Sequence, residues 1–514
     1  MSVARRHRRF WWLAFGLYFA LAGLWSLSTP LYGGPDEPAH VVKAAAVVRA
    51  QLVGDQVAGG KGFERTVRVP AEFAAAQPAV DCWRFELAIP ANCAEPSPIN
   101  PTGDADVLTT ASRHPPFYYA PVGVPALLGG SSLVVHLMRL VSAAMAAFFI
   151  ANAFDSTRRQ ANPTLRLVGL GLTLTPSIVA WSALVNPSAV EITASVCLIS
   201  TLLVIGKDPA GVSAAMVRRG AVAAIAIALS RHLAPLWLAV IAMVFIALFG
   251  IQAVKTLLGR TDARRGVAAA VAAAAVQLLW VVIVQPFAGI DDGTFAPVSI
   301  ADAFRGALGM GERNITHLVG VFGWNNPRAP YGVEVIWLMA VGLLLFLAVA
   351  VGGRRAITAL TLAGLALIGL PVLIETYQAS EDGGFLWQAR YTAPIAVLLP
   401  LIAAHVCAEQ AIGPALANSR LVRVVAASMW FGHVGSYWAA VRRFSVGTDG
   451  SWIWMVEPNW RPPLLPAAVL FALFTLTAVA FAALFSGSIE TALRFGRWSA
   501  SPTAISPSQP SSRL

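Results

Sequence analysis

Charge is what this chain has least of. Only 12% of its 514 residues are Asp, Glu, Lys or Arg, about half the fraction usual in a soluble globular protein. Four cysteines are too few for a disulfide-framed secreted fold. Disorder is excluded by the opposite property: 57% of the residues are hydrophobic, whereas a disordered chain combines low hydrophobicity with high net charge. Taken alone, the +11 balance of 37 basic over 26 acidic residues fits either a nucleic-acid surface or the arginine bias of a multi-pass membrane protein. Sixteen Trp and 25 Phe exceed what one soluble core needs, and they favour the membrane over nucleic acid.

Apolar stretches near the ~20 residues that cross a bilayer recur at 10–31, 130–153, 165–185, 187–206, 219–230 with 233–251, 267–287, 333–351, 356–375, 391–409, 421–438 and 463–486. The first follows Arg5, Arg6, Arg8 and Arg9, as a signal peptide would. Its apolar run is too long for a signal core, however, and Ser28-Thr29-Pro30 is a poor cleavage context. It reads as a retained anchor. Arginines cluster in alternate connections (Arg158/Arg159/Arg166, Arg218/Arg219, Arg260/Arg264/Arg265, Arg354/Arg355, Arg420/Arg423, Arg494/Arg497), which marks those sides as cytoplasmic. The expectation is an all-α multi-pass protein of the bacterial plasma membrane with about twelve crossings and both termini inside. Its parts are a cytoplasmic start at 1–9, a first span at 10–31, an outer loop at 32–115, a multi-span body at 116–486 and a cytoplasmic tail at 487–514. That tail is Ser/Pro-rich from Ser499 and reads as disordered. Residues 219–251 must cross twice, which predicts a break at Ser230-Arg231-His232, tolerated at membrane depth only where it lines protein or a wet cavity. The outer side keeps the acidic excess.

Two cysteines, Cys82 and Cys93, fall in the outer loop, and two, Cys197 and Cys407, inside apolar spans. An oxidising exterior with one loop-closing disulfide accounts for the first pair. Asn314-Ile315-Thr316 matches a glycosylation sequon, a tripeptide too common by chance to carry weight.

The polar residues that remain gather at the outer ends of spans. After the first comes Tyr32-Gly33-Gly34-Pro35-Asp36-Glu37-Pro38-Ala39-His40. Here Asp36 suits an N-cap and Pro38 the first turn of a helix. From His40 to Leu52 that helix is expected to lie on the membrane as an amphipathic surface helix, with Asp36, His40 and Lys43 on one face. Asp36 and Glu37 with His40 can abstract a proton from a hydroxyl, or the two acids can bind a divalent cation, Mg or Mn; capping plus a solvated acidic pair is the plainer account. Arg113, His114 and Tyr118, in Ser112-Arg113-His114-Pro115-Pro116-Phe117-Tyr118-Tyr119, can meet a lipid head group or merely anchor the chain at the interface. Glu191, after Asn186-Pro187-Ser188, is an acid within a span and so a functional candidate. Arg231, beside His232, suits a phosphate, with snorkelling as the alternative. Trp324 and Asn325, in Gly320-Val321-Phe322-Gly323-Trp324-Asn325-Asn326-Pro327, can stack on a sugar or belong to the aromatic belt. Arg390 and Tyr391 open a span at its outer end, against the charge bias.

In this order the P-D-E-P-x-H, H-P-P-x-Y-Y, N-P-x-A, G-V-F-G-W and R-Y-x-x-P elements resemble an uncharacterised family of bacterial polytopic membrane proteins, over about residues 10–410. That family in turn resembles the GT-C membrane glycosyltransferases. The resemblance implies a polyprenyl-phosphate-linked sugar as donor, an envelope glycan or lipid as acceptor, inversion at the anomeric carbon, and Asp36 as general base or metal ligand with Glu37 its neighbour. Topology, without a motif match, adds Arg231 and Arg390 as phosphate ligands. A soluble C-terminal domain of the kind many GT-C enzymes carry is not evident, and the Asn186 turn has Ser where an acid is expected after the proline. A lipid-glycan flippase and a non-catalytic assembly protein are the competing readings. A flippase has no need of an acidic motif outside the bilayer.

Overall fold

The computed structural model describes residues 3–57, 64–93, 103–286 and 296–485; the Ser/Pro-rich tail lies outside the described residues. Among these, eight helices are long and apolar enough to cross a membrane: His7–Leu27, Ser132–Arg158, Ser188–Lys207, Thr261–Val284, Tyr331–Val351, Arg354–Glu381, Ala389–Glu409 and Ala467–Phe485. Two bent pairs, Pro163–Thr173 with Pro176–Ser182 (66°) and Ala234–Phe249 with Ile251–Leu258 (109°), raise the number to ten. The chain is a multi-pass, mainly helical membrane protein.

The expected twelve crossings are not reached among the described residues, for two local reasons. Ala214–Ala228 has 15 residues, which at ~1.5 Å per residue falls short of a ~30 Å hydrocarbon layer. Arg420–Val446 is long enough at 27 residues, but Gly432-His433 and Gly435-Ser436-Tyr437 interrupt its apolar run. Those small residues serve packing instead. A Cβ at Gly432 would come within 3.1 Å of Trp337, so the Tyr331–Val351 helix approaches there at close range.

The outer loop departs from the all-α expectation. Its segments Asp55–Gln56 (β1), Arg65–Pro70 (β2) and Asp104–Thr109 (β3) form an antiparallel sheet in the order β1-β2-β3, with Val67 opposite Val107. Period-two burial of Val67 and Val69 around exposed Arg68 is what a strand with one covered face produces. The helix after the acidic motif, Glu37–Val47, is also unlike the surface helix expected. All its residues except Ala39 are buried, because Ala44, Ala45 and Ala46 give it no bulky polar face. Gly123, whose Cβ would meet the Ala44 carbonyl at 2.2 Å, lets the Tyr119–Gly123 turn close over one side. On the other side Thr109 of β3 donates its hydroxyl to the Ala39 carbonyl at 2.9 Å.

Cys82 and Cys93 are joined by a disulfide, with Cα atoms 6.2 Å apart; Cys197 and Cys407 are free and buried. The disulfide loop is clamped to the end of Arg420–Val446 by Arg443, whose guanidinium donates to the carbonyls of Trp83 (2.8 Å), Glu86 (2.8 Å) and Ile89 (2.6 Å).

Candidate active site

The two acids of the outer motif point in opposite directions. Asp36 adopts left-handed backbone angles (φ 59°, ψ 9°) at the N-cap position and makes no side-chain capping bond. Its carboxylate is therefore not used by the helix start, contrary to the cap expected from sequence. The turn before it is tight: a Cβ at Gly34 would lie 2.5 Å from Leu184, a close approach that glycine permits.

Arg390, 2% exposed, bonds the Asp36 carboxylate, whose side chain remains 43% exposed. The same guanidinium donates to the Pro35 carbonyl (3.1 Å) and to the Tyr391 hydroxyl (3.3 Å). Close packing around Asp36 opposes ionisation, yet Arg390, then His40 and Arg231, hold its carboxyl below the ordinary carboxylate value. A guanidinium fork on two adjacent acceptors fixes orientation as well as charge.

Arg231 lies in the break between Ala214–Ala228 and Ala234–Phe249, and donates to the Ser188 hydroxyl at 2.6 Å. Its guanidinium sits 4.5 Å from the centre of the Tyr391 ring, and that of Arg390 5.2 Å from it. One tyrosine thus carries both cations. Asn186 ties the next turn to the motif, donating to the Pro35 carbonyl (3.3 Å) while its own oxygen accepts from the Ser188 amide (3.0 Å). Glu191, one turn after Ser188, is buried, and neither carboxyl oxygen has a hydrogen-bond partner among the described residues.

Three histidines continue from Asp36. His40 Nδ1 is 2.7 Å from the Tyr119 hydroxyl. The His40 ring lies 5.5 Å from that of His114, which stacks on His232 at 4.8 Å; His232 Nε2 is 3.2 Å from the Arg113 carbonyl. Burial pushes His40 down to about 3 against the pull of Asp36, with Arg390 and Arg231 adding to the fall. Burial, reinforced by His232, also lowers His114 well below its usual value. Lys43 is buried, donates to the Ser112 carbonyl at 2.5 Å and to that of Leu52, and burial draws its ammonium down to about 7.

Several residues expected at the site have other partners. Glu37 is fully buried against Arg139, which donates Nε to one carboxyl oxygen (2.7 Å) and Nη2 to the other (2.6 Å). The amides of Gly34 (3.1 Å) and Val185 (3.0 Å) supply two further donors. Glu37 therefore holds the turn in place and does not share an open site with Asp36. The pair does not fit a divalent cation, and no group of three or more His, Cys, Asp or Glu converges among the described residues. Arg113 donates to the carbonyls of Gln285 (3.2 Å) and Pro286 (3.1 Å), and Tyr118 bonds Ser142 at 2.8 Å, so both brace the scaffold. Trp324 donates to the Tyr32 carbonyl at 3.2 Å under the Arg84 guanidinium. Asn325, left-handed and exposed, reaches a small cleft shared with Pro35, Trp181, His317, Gln388 and Arg390. Reading the outer motifs alone missed Arg139, although an arginine inside the apolar Ser132–Arg158 helix was a usable signal. It also missed Trp181, His317 and Gln388, for which no local signal exists.

No curated protein matches the chain. Two solved structures are similar to it, both of ArnT from Cupriavidus metallidurans at 14% identity. The apo form aligns with a TM-score of 0.46 over 97% of this chain and 80% of its own. The form bound to undecaprenyl phosphate aligns with a TM-score of 0.44 over 96% and 79%. Residues 19–399 match the family described as Predicted membrane protein (DUF2142), and the chain belongs to that family.

Proposed function

We propose that this chain is a GT-C-type membrane glycosyltransferase, moving a sugar from a polyprenyl-phosphate donor to a hydroxyl of a cell-envelope glycan or lipid. The observation that carries the reading is one arrangement. A half-exposed carboxylate, Asp36, is excused from helix capping and kept ionised by Arg390. A second guanidinium, Arg231, flanks the same tyrosine ring. Fixed cations beside an ionised acid suit a reaction in which a phosphate departs while a hydroxyl loses its proton.

In that reaction Asp36 accepts the proton of the acceptor hydroxyl, whose oxygen forms a bond to the anomeric carbon. The bond from that carbon to the phosphate oxygen breaks, and its electron pair leaves with the polyprenyl phosphate, whose charge Arg231 and Arg390 neutralise. Attack opposite the leaving group inverts the centre. A carboxylate with a lowered pKa is a weak base, which suffices when departure of the phosphate runs ahead of attack and the hydroxyl becomes acidic late. The site belongs on the extracytoplasmic face of the plasma membrane, with both termini inside. The Arg-rich start of the chain before the first span and the Cys82–Cys93 disulfide in the loop after it support that orientation of the first span.

The test uses full-length protein in detergent with radiolabelled polyprenyl-phosphate hexoses and an envelope extract as acceptor. Release of polyprenyl phosphate separates transfer from flipping, because a micelle has no second leaflet. Asp36→Asn keeps an oxygen for Arg390 and is expected to lower release by about 10²–10⁴-fold in protein that still folds. Undiminished release by a folded Asp36→Asn protein refutes the assignment.

A further inference from the structure

Glu191 is the acid that the fold leaves without a partner. It is 1% exposed, neither carboxyl oxygen has a partner among the described residues, and it sits in the first turn of the membrane-spanning Ser188–Lys207 helix. Desolvating an acid without hydrogen bonds is costly, and a first-turn position offsets only a small part of that cost through the helix dipole. Intramembrane acids kept at such a cost mark sites.

Its surroundings say what kind of ligand fits. Ser188, three residues earlier on the same face, holds Arg231 by its hydroxyl. Arg231 is within electrostatic reach of both Glu191 and Asp36, yet it forms no ion pair with Glu191 among the described residues. A carboxylate and a guanidinium therefore stand near each other without joining. A molecule with a phosphate at one end and neutral hydrogen-bond donors a few ångströms away satisfies both.

We infer that Glu191 reads the sugar of the lipid-linked donor, accepting hydrogen bonds from sugar hydroxyls while Arg231 holds the adjoining phosphate. The inference rests on the glycosyltransferase reading and assigns sugar specificity to a residue on the membrane side of the site. A group that gains its hydrogen bonds only from a ligand hydroxyl favours ligands that carry that hydroxyl over ligands that lack it. Bare polyprenyl phosphate is such a ligand.

The experiment compares wild type, Glu191→Gln and Glu191→Leu as full-length proteins in detergent. Each is titrated with polyprenyl phosphate and with the same lipid phosphate carrying glucose, mannose or galactose. Glu191→Leu is expected to raise the thermal midpoint without ligand, since an apolar side chain of similar size replaces an unpartnered acid. It should bind bare polyprenyl phosphate within about twofold of wild type, yet bind the preferred sugar-lipid at least tenfold more weakly, a difference of about 1.4 kcal/mol. Glu191→Gln, which keeps one acceptor oxygen, should fall between. A lowered midpoint with unchanged discrimination in Glu191→Leu overturns the inference, as does a wild type that binds every sugar-lipid no better than bare lipid phosphate. If wild type shows a Glu191-dependent sugar preference but releases no polyprenyl phosphate, the transferase reading fails and the sugar site stands.

Discussion

Replacing Glu37 by Gln should damage the fold and leave the chemistry of Asp36 to be judged separately. Glu37 and Arg139 both have fully buried side chains. Arg139 makes five hydrogen bonds: two to Glu37 and three to the carbonyls of Ser26 (3.1 Å), Thr29 (3.0 Å) and Pro30 (2.7 Å). The carboxylate has four donors around it, from Arg139 twice and from the Gly34 and Val185 amides. A glutamine amide must aim its NH2 at one of those donors while the guanidinium loses its counter-charge. Breaking a buried pair from one side costs ~3–5 kcal/mol, a large part of a total stability of ~5–15 kcal/mol. Glu37→Gln should therefore fold in poor yield and melt well below wild type, measured by tryptophan fluorescence in detergent. Exchanging both partners for leucine should recover only part of the loss, because the three carbonyls at the end of the first span lose their donors. Asp36→Asn also takes a counter-charge from a buried guanidinium, but Asp36 is itself half-exposed and Arg390 keeps the Pro35 and Tyr391 oxygens, so it should cost less than Glu37→Gln. A Glu37→Gln protein that melts with wild type but has lost turnover would falsify this assignment and return Glu37 to the chemistry.

Two further outcomes follow from the same region. Because His40 is lowered to about 3 and His114 well below its usual value, the unfolded chain takes up protons below pH ~6.5 that the native chain refuses, so stability falls as pH drops. The slope is up to ~1.4 kcal/mol per pH unit for each such histidine. The depressed Asp36 carboxyl gives up its own contribution only as pH falls from its ordinary value through its lowered native one, so it adds nothing between pH 6.5 and 4.5. The thermal midpoint should fall across that window and fall less steeply in His40→Gln; an identical slope in the variant rules out the assignment. Reducing the Cys82–Cys93 disulfide removes about 2–4 kcal/mol of loop constraint, but Arg443 still holds three carbonyls inside the loop. Limited proteolysis between residues 82 and 93 should therefore require both reduction and Arg443→Met. Cleavage on reduction alone shows that the arginine clamp does not hold the loop.

The membrane spans were legible because lipid imposes one simple demand, a run of about twenty apolar residues, and the chain meets it where expected at most positions. Legibility ended where protein replaced lipid as the neighbour. His40 and Lys43 give the Glu37–Val47 helix an amphipathic look, yet its three polar side chains, Glu37, His40 and Lys43, all find partners inside the protein, and alanine and valine make up most of the rest. Such a pattern belongs to an element covered on both sides. In the outer loop, Arg65-Thr66-Val67-Arg68-Val69 has the alternation of a strand. Its partner β3 lies some forty residues away, so the pairing that makes it a strand is tertiary.

The site shows the same division more sharply. Asp36 and Glu37 are equivalent in sequence, and no local rule says which is structural. The decision is made 102 residues from Glu37, by an arginine in the middle of an apolar helix. An arginine buried there has to have an anion, and few acids lie within reach of the outer ends of the spans, so Arg139 was a claim on one of the pair that the sequence already contained. Once Arg139 takes Glu37, the acid left to face solvent is Asp36, and the arginine that meets it, Arg390, leaves that acid half-exposed. The same rule applied to the remaining intramembrane charges gives the opposite result. Glu191 and Arg231 are near enough to feel one another, but Arg231 bonds a serine instead and Glu191 bonds nothing among the described residues. Complementary charges close into pairs where they serve the fold. Glu191 and Arg231 come near without closing, so packing alone gives no reason for this acid, and that is why the sugar-reading role is proposed for it.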